Sequence, residues 1–354
     1  MKTVDFDHIP ETLTGAIRYF GDEEKCHDFL MAMRWPRAIH CPLCDSKKVG
    51  KMVVTFPKDR KGNVRKTPRR VWNCKNCRKQ FTVKVGTIFE DSPLGLDKWL
   101  PATWLIVNAK NGTSSCELAR SLGVTQKTAW FMLHRIRLAM QEGGSIVKMK
   151  GLVEADESFI GGAARFMHKN KLAKVKTLTR GGSRTARGTV GKTAVMGLLE
   201  RNAPEKHSRV RCRVVQGVSR HDLETQVREH VEKGSEVITD QFRSYDKLRD
   251  EYVHQVINHA ECYAKGHVHT NGLENFWALL KRGIKGTYVS VEPFHLFRYL
   301  DEQAFRFNER KDNDKGRFLK TIANFAGKRL MYSKLIGQGG DGLPPQTTGT
   351  WQTA

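Results

Sequence analysis

The sequence has no apolar run long enough to cross a lipid bilayer. Its apolar runs, such as residues 104–107 (Trp-Leu-Ile-Val), fall far short of the roughly 18 residues that a membrane-spanning helix needs. The N-terminus has a Lys at position 2 with no apolar segment behind it, so we expect no secretory signal. Both absences exclude the membrane and secreted classes of protein, and we expect a cytoplasmic protein.

Acidic residues are scarce relative to basic ones. The 354 residues include 37 Asp and Glu against 61 Lys and Arg, which gives a formal net charge of +24. This excess indicates a polyanionic partner, because each Lys or Arg that neutralises a phosphate releases a counterion. A basic protein that is merely soluble, a ribosome-bound protein and a protein bound to acidic lipids are the alternatives that charge leaves open.

Disulfides are not expected, although the sequence has eight cysteines. Without a secretion signal we expect a reducing compartment, where paired cysteines bind metal and scattered ones pack as small core residues. Cys41/Cys44 and Cys74/Cys77 form two CxxC pairs, a spacing that lets four thiolates hold one tetrahedral Zn²⁺ at about 2.3 Å. We therefore predict a structural zinc ribbon; two unrelated pairs or a redox CxxC are the alternatives. The remaining cysteines are scattered: Cys26, Cys116, Cys212 and Cys262.

At about 150 residues per domain, the length suggests two or three domains, and the composition divides the chain further. In the longest segment, strands come first and then alternate with helices, which predicts an α/β fold with a mixed sheet covered by helices. An insertion at 163–192 contains nine Lys or Arg and no acidic residue, and its role stays open. The predicted segments are a helical lead-in at 1–37, the zinc ribbon at 38–90, a helix-turn-helix at 91–145, the α/β unit at 150–330 and a flexible tail at 337–354.

The helix-turn-helix prediction depends on two caps and a glycine. Ser114 can cap one helix, Gly123 allows a sharp turn, and Thr125 can cap a second helix that runs to residue 140. In a DNA-reading motif the exposed start of the second helix would contact base edges, whereas a plain helical hairpin would contact none. The candidate DNA contacts are Thr125, Gln126, Lys127 and Arg135 on this helix, and Lys58 and Arg65 in the basic hairpin of the ribbon.

Three acidic residues suggest a second metal site. Asp156 and Asp240 each end a predicted apolar strand, and Glu274 lies on a predicted helix. Carboxylates suit Mg²⁺, and a pair of such ions about 4 Å apart can activate a nucleophile and stabilise a leaving oxygen. Lys281 follows Glu274 by seven residues, two helical turns along the same face, where it could contact a phosphate. Taken singly, an Asp at a strand end is more often a turn or cap residue.

The strings at 153–162 (VEADESFIGG), 239–245 (TDQFRSY) and 269–283 (HTNGLENFWALLKRG) resemble bacterial insertion-sequence transposases of the DDE type. More narrowly, they are similar to the group with an N-terminal zinc ribbon and an ISXO-type catalytic domain. The resemblance covers roughly residues 25–320. It implies a ribonuclease-H-like fold, dependence on Mg²⁺ or Mn²⁺, and movement of a short DNA element.

The resemblance also implies roles for single residues. Asp156, Asp240 and Glu274 match the three acidic positions that hold metal. Because an Asn can stand at the third position in this family, Asn271 or Asn275 could share or take that role. The other candidates are Lys281 as the downstream base, Arg282 as a phosphate contact, and Glu154, which shares a strand face with Asp156 and could contact metal or a basic neighbour.

The expected function is therefore a DNA transposase. It would bind the terminal inverted repeats of its element, cleave the strand at the element end and join the released 3′-OH to target DNA. Because two ends must be held together, we expect a homodimer or a larger assembly. As a DNA-binding protein it would be associated with the nucleoid. A non-catalytic DNA-binding regulator derived from a transposase and a nuclease without strand transfer are the alternatives.

Overall fold

A computed structural model of the chain describes most of its residues. No helix in the described part is long and apolar enough to cross a membrane. Most of the predicted insertion and of the predicted tail lies outside the described residues. The described residues are 9–52, 62, 70–141, 147–162, 169, 191–201, 207–240, 248–257 and 268–338.

The chain divides into two compact units. The N-terminal unit comprises residues 1–141 and 312–340, and the central unit comprises residues 142–311 and 341–354. The N-terminal unit begins with helices α1 (Leu13–Phe20) and α2 (Glu23–Arg34), the three-stranded sheet β1 (Val49–Lys51), β2 (Trp72–Cys74) and β3 (Gln80–Phe81), and helices α3 (Leu96–Asn108), α4 (Ser115–Leu122) and α5 (Gln126–Met140).

Among the described residues, the central unit has five strands and three α-helices. In chain order they are β4 (Leu152–Ile160), β5 (Thr193–Arg201), β6 (Arg209–Val215), α6 (Arg220–His230), β7 (Glu236–Asp240), β8 (Val253–Ile257), α7 (Asn271–Gly283) and α8 (Leu296–Asn308). A π-helical turn, Ile284–Tyr288, extends α7. The chain then returns to the N-terminal unit with α9 (Asp314–Ala323) and α10 (Tyr332–Leu335).

This return differs from the predicted end of the α/β unit at residue 330. Residues 312–338 pack with the N-terminal unit because α9 supplies part of its aromatic core. The ring of Phe318 lies 5.4 Å from that of Phe20, 5.9 Å from Phe29 and 5.1 Å from Trp104. Phe325, just beyond α9, lies 5.7 Å from Phe89. The N-terminal core is therefore closed by residues from near the end of the chain.

The central sheet has the strand order β6-β5-β4-β7-β8. Strands β4, β5 and β6 pair antiparallel, whereas β7 runs parallel to β4 and β8 runs parallel to β7. This arrangement is the mixed sheet that the alternation of elements predicted. Helix α6 covers one face, where Val153 and Ala155 contact Leu223 and Val227 in one apolar cluster.

Helices α7 and α8 cover the opposite face of the sheet. Their apolar side chains form a second cluster with Val195 and Leu199 of β5, to which Leu273 and Phe276 of α7 belong. Alternate residues of a strand point to opposite faces, so Asp156, next to Ala155, points to the side that α7 covers. The sheet thus carries Asp156 on the face that meets α7.

Asp156 does not end its strand, as the sequence had suggested, but lies in the middle of β4. The strand continues to Ile160 because residues 157–160 still pair with β5, in a register that sets Asp156 opposite Gly197. The parallel partner β7 ends at Asp240, as predicted. Asp156 therefore lies beside the end of β7, whereas β5 continues past it on the other side.

Candidate zinc and active sites

The four paired cysteines come together in the ribbon. Their Sγ atoms all lie within 4.8 Å of one another. Those of Cys41 and Cys77 are 3.7 Å apart, and those of Cys44 and Cys74 are 3.6 Å apart. Four sulfurs at about 2.3 Å from one zinc ion would be about 3.8 Å from one another in a tetrahedron. The cluster therefore supports a structural Zn²⁺ with all four predicted ligands.

Local backbone geometry builds the two halves of this cluster. Asp45 and Arg78 directly follow the two cysteine pairs, and both have left-handed backbone angles, with φ of 57° and 59°. These turns bring the backbone N–H of Asp45 onto the carbonyl of Cys41 at 2.9 Å. The backbone N–H of Cys77 points at the sulfur of Cys74, 3.5 Å away, where it would stabilise a thiolate.

Both carboxylate oxygens of Asp156, in the candidate active site, accept hydrogen bonds. Its Oδ1 accepts the backbone N–H of Glu157 at 2.8 Å, and its Oδ2 accepts the indole N–H of Trp277 at 3.0 Å. The side chain is half-buried between β4 and α7. Each oxygen keeps a further lone pair, so both can still bind a cation.

Asp240 and Glu274 approach Asp156 from two sides. Ala155 pairs in register with Thr239, so the next residues along these parallel strands, Asp156 and Asp240, stand side by side. Glu274 lies in the first turn of α7 and is half-buried, whereas Asp240 is exposed at the end of β7. Two strands and a helix therefore bring together the three acidic residues that the sequence singled out.

The charges in this site affect one another. Burial raises the pKa of Asp156, and the charges of Asp240 and Glu274 add to the increase, while the hydrogen bonds from Glu157 and Trp277 oppose it. A divalent cation would relieve this accumulation of negative charge, and carboxylate oxygens are the ligands that Mg²⁺ prefers. Among the described residues, only the cysteine cluster has three or more potential ligand atoms within 4.8 Å of one another. The oxygens of Asp156, Asp240 and Glu274 are therefore not all within 4.8 Å of one another.

A glycine makes the contact between α7 and Asp156 possible. Gly197 faces Asp156 across the β4–β5 pair. A Cβ on Gly197 would lie 2.7 Å from the indole of Trp277 and 2.9 Å from Leu273, closer than side chains tolerate. Sequence reasoning missed both Gly197 and Trp277. Their signal was weak: Trp277 follows Glu274 by three residues on the same helix, and Gly197 interrupts a strongly apolar strand.

The other predicted site residues on α7 are exposed. Asn271 is its first residue, and Lys281 and Arg282 lie in its last turn. Asn275 is also exposed on this helix, next to Glu274. Glu154 is different, because it is buried and pairs with the basic neighbour Arg201.

Helices α4 and α5 have the predicted caps and turn. The hydroxyl of Ser114 accepts the N–H of Glu117, and that of Thr125 accepts the N–H of Thr128, at 3.1 and 3.2 Å. Gly123 adopts the left-handed backbone that ends α4, with φ of 62°. The predicted contact residues at the start of α5 are exposed: Thr125, Gln126 and Lys127.

Arg135 was assigned wrongly to the DNA-contacting set. Its side chain is buried, and its guanidinium donates hydrogen bonds to the carbonyl oxygens of Ile88, Glu90 and Leu330. It stabilises the N-terminal unit from inside because the C-terminal half of α5 is enclosed. Lys58 and Arg65 lie outside the described residues.

Comparisons with known proteins agree with this architecture. Residues 148–308 match the ISXO2-like transposase domain, and residues 21–80 match the transposase zinc-ribbon domain. The first match lies within the central unit and the second within the N-terminal unit. Both models describe parts of transposases.

Two curated relatives extend these matches. A protein in the transposable element ISH50 of Halobacterium salinarum is 26% identical over 316 residues, which cover 88% of this chain and 99% of that protein. A transposase-like protein of Haemophilus influenzae is 36% identical over 110 residues, which cover 31% of this chain and 89% of that protein. The chain belongs to the insertion-sequence transposases that carry an N-terminal zinc ribbon.

Proposed function

We propose that the protein binds the terminal inverted repeats of its element and catalyses metal-dependent strand cleavage and strand transfer. One observation carries this proposal: Asp156 and Asp240 stand side by side on the two central strands, and Glu274 on α7 adds its charge to theirs. The sheet order supports a ribonuclease-H-like fold for the central unit, because three antiparallel strands are followed by two parallel ones.

Asp156, Asp240 and Glu274 would hold Mg²⁺ or Mn²⁺. Such an ion, when bound, activates the attacking oxygen and stabilises the charge on the leaving oxygen. The raised pKa of Asp156 supports this assignment, since burial and the nearby charges of Asp240 and Glu274 both disfavour its negative charge when no cation is bound. Asn271, exposed at the start of α7, is the alternative to Glu274 as the third ligand.

The chain's own groups would orient the reacting strand. The hydrogen bonds from Glu157 and Trp277, one to each oxygen, hold the carboxylate of Asp156 in one orientation. The exposed side chains of Lys281 and Arg282, at the C-terminal end of α7, would contact phosphates of the DNA backbone and so position the reacting strand. Backbone contacts of this kind position DNA without reading its sequence.

Sequence reading is assigned to the N-terminal unit. The exposed start of α5 would enter the major groove as the second helix of a helix-turn-helix, with Gln126 and Lys127 at base edges. Lys58 and Arg65 of the ribbon are proposed as phosphate contacts. The net charge of +24 supports a large electrostatic share in binding. Because strand transfer needs two ends together, we propose that the protein acts as a homodimer or larger assembly.

A joining assay separates this function from its alternatives. The full-length protein is incubated with Mg²⁺, a duplex that carries one element end, and a plasmid target. Joined product identifies a transposase, cleavage without joining identifies a nuclease, and binding alone identifies a non-catalytic regulator. A duplex with a scrambled end and the Asp156→Asn protein serve as controls, and neither should give joined product.

A second assay tests the division of DNA contacts. Gln126→Ala should reduce discrimination between the specific and a random duplex by about 1–3 kcal/mol per lost base contact. Lys110→Ala is the matched control, since Lys110 is also exposed in the N-terminal unit but lies outside the turn. Equal loss on both duplexes for Gln126→Ala would contradict sequence reading by α5.

A further inference from the structure

Glu154 is a buried carboxylate two residues before Asp156 on β4. Its side chain is only 1% exposed, and strand alternation places it on the same face as Asp156, towards α7. A buried carboxylate is costly unless every oxygen has a partner. The partners of Glu154 therefore show what the fold uses it for.

Both oxygens of Glu154 have a strong donor. Oε1 accepts the Nε–H of Arg201, from the end of β5, at 2.5 Å. Oε2 accepts the backbone N–H of Leu273, in the first turn of α7, at 2.9 Å. A second guanidinium nitrogen of Arg201 also donates to the carbonyl oxygen of His269, just before α7. One ion pair thus connects two strands with the residues that begin the helix.

The start of α7 is fitted closely onto this carboxylate. Thr270, which precedes the helix, makes no side-chain capping hydrogen bond. The N–H groups of a first helical turn have no partner within the helix and attract negative charge. Glu154 caps one of them from the neighbouring strand. A Cβ on Gly272 would lie 2.9 Å from both carboxylate oxygens, so only glycine allows this approach.

The capped residue immediately precedes Glu274. The hydrogen bond from Leu273 to Glu154 therefore holds the backbone next to Glu274 against β4, two residues before Asp156. We propose that Glu154, held by Arg201, is a positioning residue that sets the carboxylate of Glu274 relative to the two aspartates and does not itself bind metal. This inference rests on the proposed function, because it assigns the purpose of the attachment to the metal site.

Two variants of the full-length protein test the attachment. Glu154→Gln keeps the shape of the side chain but removes its charge. Arg201→Lys keeps a positive charge but cannot contact both Glu154 and His269 with one planar group. Arg201→Lys also keeps the test valid if Glu154→Gln folds poorly. Glu302→Gln is the matched control, because Glu302 is equally buried in the central unit and is paired with Arg306 on α8.

The first measurement is the Mg²⁺ dependence of end cleavage. We expect Glu154→Gln to raise the half-saturating Mg²⁺ concentration and to lower the cleavage rate. At a Mg²⁺ concentration that half-saturates wild type, cleavage should fall by about 10- to 100-fold. Arg201→Lys should change both in the same direction, and the double variant should be no worse than the worse single one. Affinity for end DNA should stay within about twofold of wild type, since no DNA contact is removed. Glu302→Gln should lower Tm and leave the Mg²⁺ dependence unchanged.

The second measurement does not depend on activity. Hydrogen exchange of the peptide spanning residues 271–277 should be faster in Glu154→Gln than in wild type, and unchanged in Glu302→Gln. A lower Tm with wild-type Mg²⁺ dependence and rate would overturn the proposal, since Glu154 would then only stabilise the fold. Lost metal binding with unchanged exchange would overturn it too, by making Glu154 a ligand. If wild type itself neither binds Mg²⁺ nor cleaves, the proposed function fails, while the exchange result still decides whether Glu154 holds α7.

Discussion

The indole N–H of Trp277 donates to Oδ2 of Asp156 at 3.0 Å, across 121 positions of sequence. This hydrogen bond joins helix α7 to β4, the central strand of the sheet. It depends on Gly197, because any side chain at that position would occupy the space of the indole ring. The orientation of one proposed metal ligand is therefore set by a tryptophan and a glycine that bind no metal.

Trp277→Phe should separate the hydrogen bond from the packing of the ring. Phe keeps an aromatic side chain on the sheet but has no donor for Asp156. Since this hydrogen bond lowers the pKa of Asp156, its loss should raise that pKa further. We expect cleavage to fall by about 10- to 100-fold, and the acid limb of the rate–pH profile to move to higher pH.

Gly197→Ala gives a second route to the same result. The added Cβ would lie 2.7 Å from the ring, so the indole must shift away from Asp156. We expect the same change in the pH profile together with a lower Tm. A Trp277→Phe protein that cleaves at the wild-type rate and pH dependence would show that the indole only fills space.

Asp156→Asn should abolish cleavage yet stabilise the metal-free protein. Because the folded pKa of Asp156 is raised above its ordinary value of 3.8, the stability linked to its protonation is present at low pH and is lost as pH rises through the folded pKa. Asn never ionises, so it avoids this loss. At neutral pH and without added metal we expect the Tm of Asp156→Asn to lie above that of wild type. Thermal unfolding from pH 3 to pH 8 should show the difference vanishing at the acid end.

Cys44→Ser should remove zinc and weaken DNA binding without affecting the central unit. Three remaining thiolates cannot complete the tetrahedral site, and the folding of small zinc modules depends on their metal. Zinc content and end-DNA affinity should both fall, while the near-ultraviolet signal of the central unit persists. Cys116→Ser is the matched control, because Cys116 is exposed on α4, away from the cluster. Full zinc occupancy in Cys44→Ser would contradict the four-sulfur site.

The central unit should lose stability in mild acid through His230. Burial, with the charges of Arg211, Arg213 and Lys148, lowers the pKa of His230 to about 4. The unfolded chain therefore takes up a proton near pH 6.5 while the folded chain does not, so stability falls as pH drops from about 6.5 to about 4. The loss should be on the order of 3 kcal/mol. In urea unfolding experiments, His230→Gln should make stability depend less on pH between about 4 and 6.5. His221→Gln, at an exposed position on the same helix, should leave the pH dependence unchanged.

Phe318→Ala should destabilise the N-terminal unit, although residue 318 follows the whole central unit in sequence. Its ring contacts Phe20, Phe29 and Trp104, and loss of a buried phenyl ring typically costs about 3–5 kcal/mol. Hydrogen exchange in α1 and α2 should increase. Phe297→Ala, in the central unit, should leave those helices protected.

Short-range patterns in the sequence predicted much of the architecture. The CxxC spacing identified the four cysteines, the caps at Ser114 and Thr125 located two helices, and alternation of elements predicted a mixed sheet. Each of these patterns spans a few residues whose side chains determine the local backbone.

Long-range contacts were out of reach of such patterns. Nothing local to Arg135 shows that it will be buried among carbonyls from residues 88, 90 and 330. The same holds for two other contacts. The packing of α7 on the sheet brings Trp277 to Gly197, and the pairing of β4 with β5 brings Glu154 to Arg201. The end of β4 was placed at Asp156 for a related reason: only the register with β5 shows that the strand continues.

The return of the chain to the N-terminal unit after residue 311 bears on the order of events during translation. A ribosome makes α1 to α5, then the whole central unit, and only afterwards α9, whose Phe318 fills the first core. The unit proposed to read DNA cannot complete its packing until the unit proposed to cut DNA has left the ribosome. A prematurely terminated chain would therefore lack a finished DNA-reading unit, and it would compete poorly with full-length protein for the ends of the element.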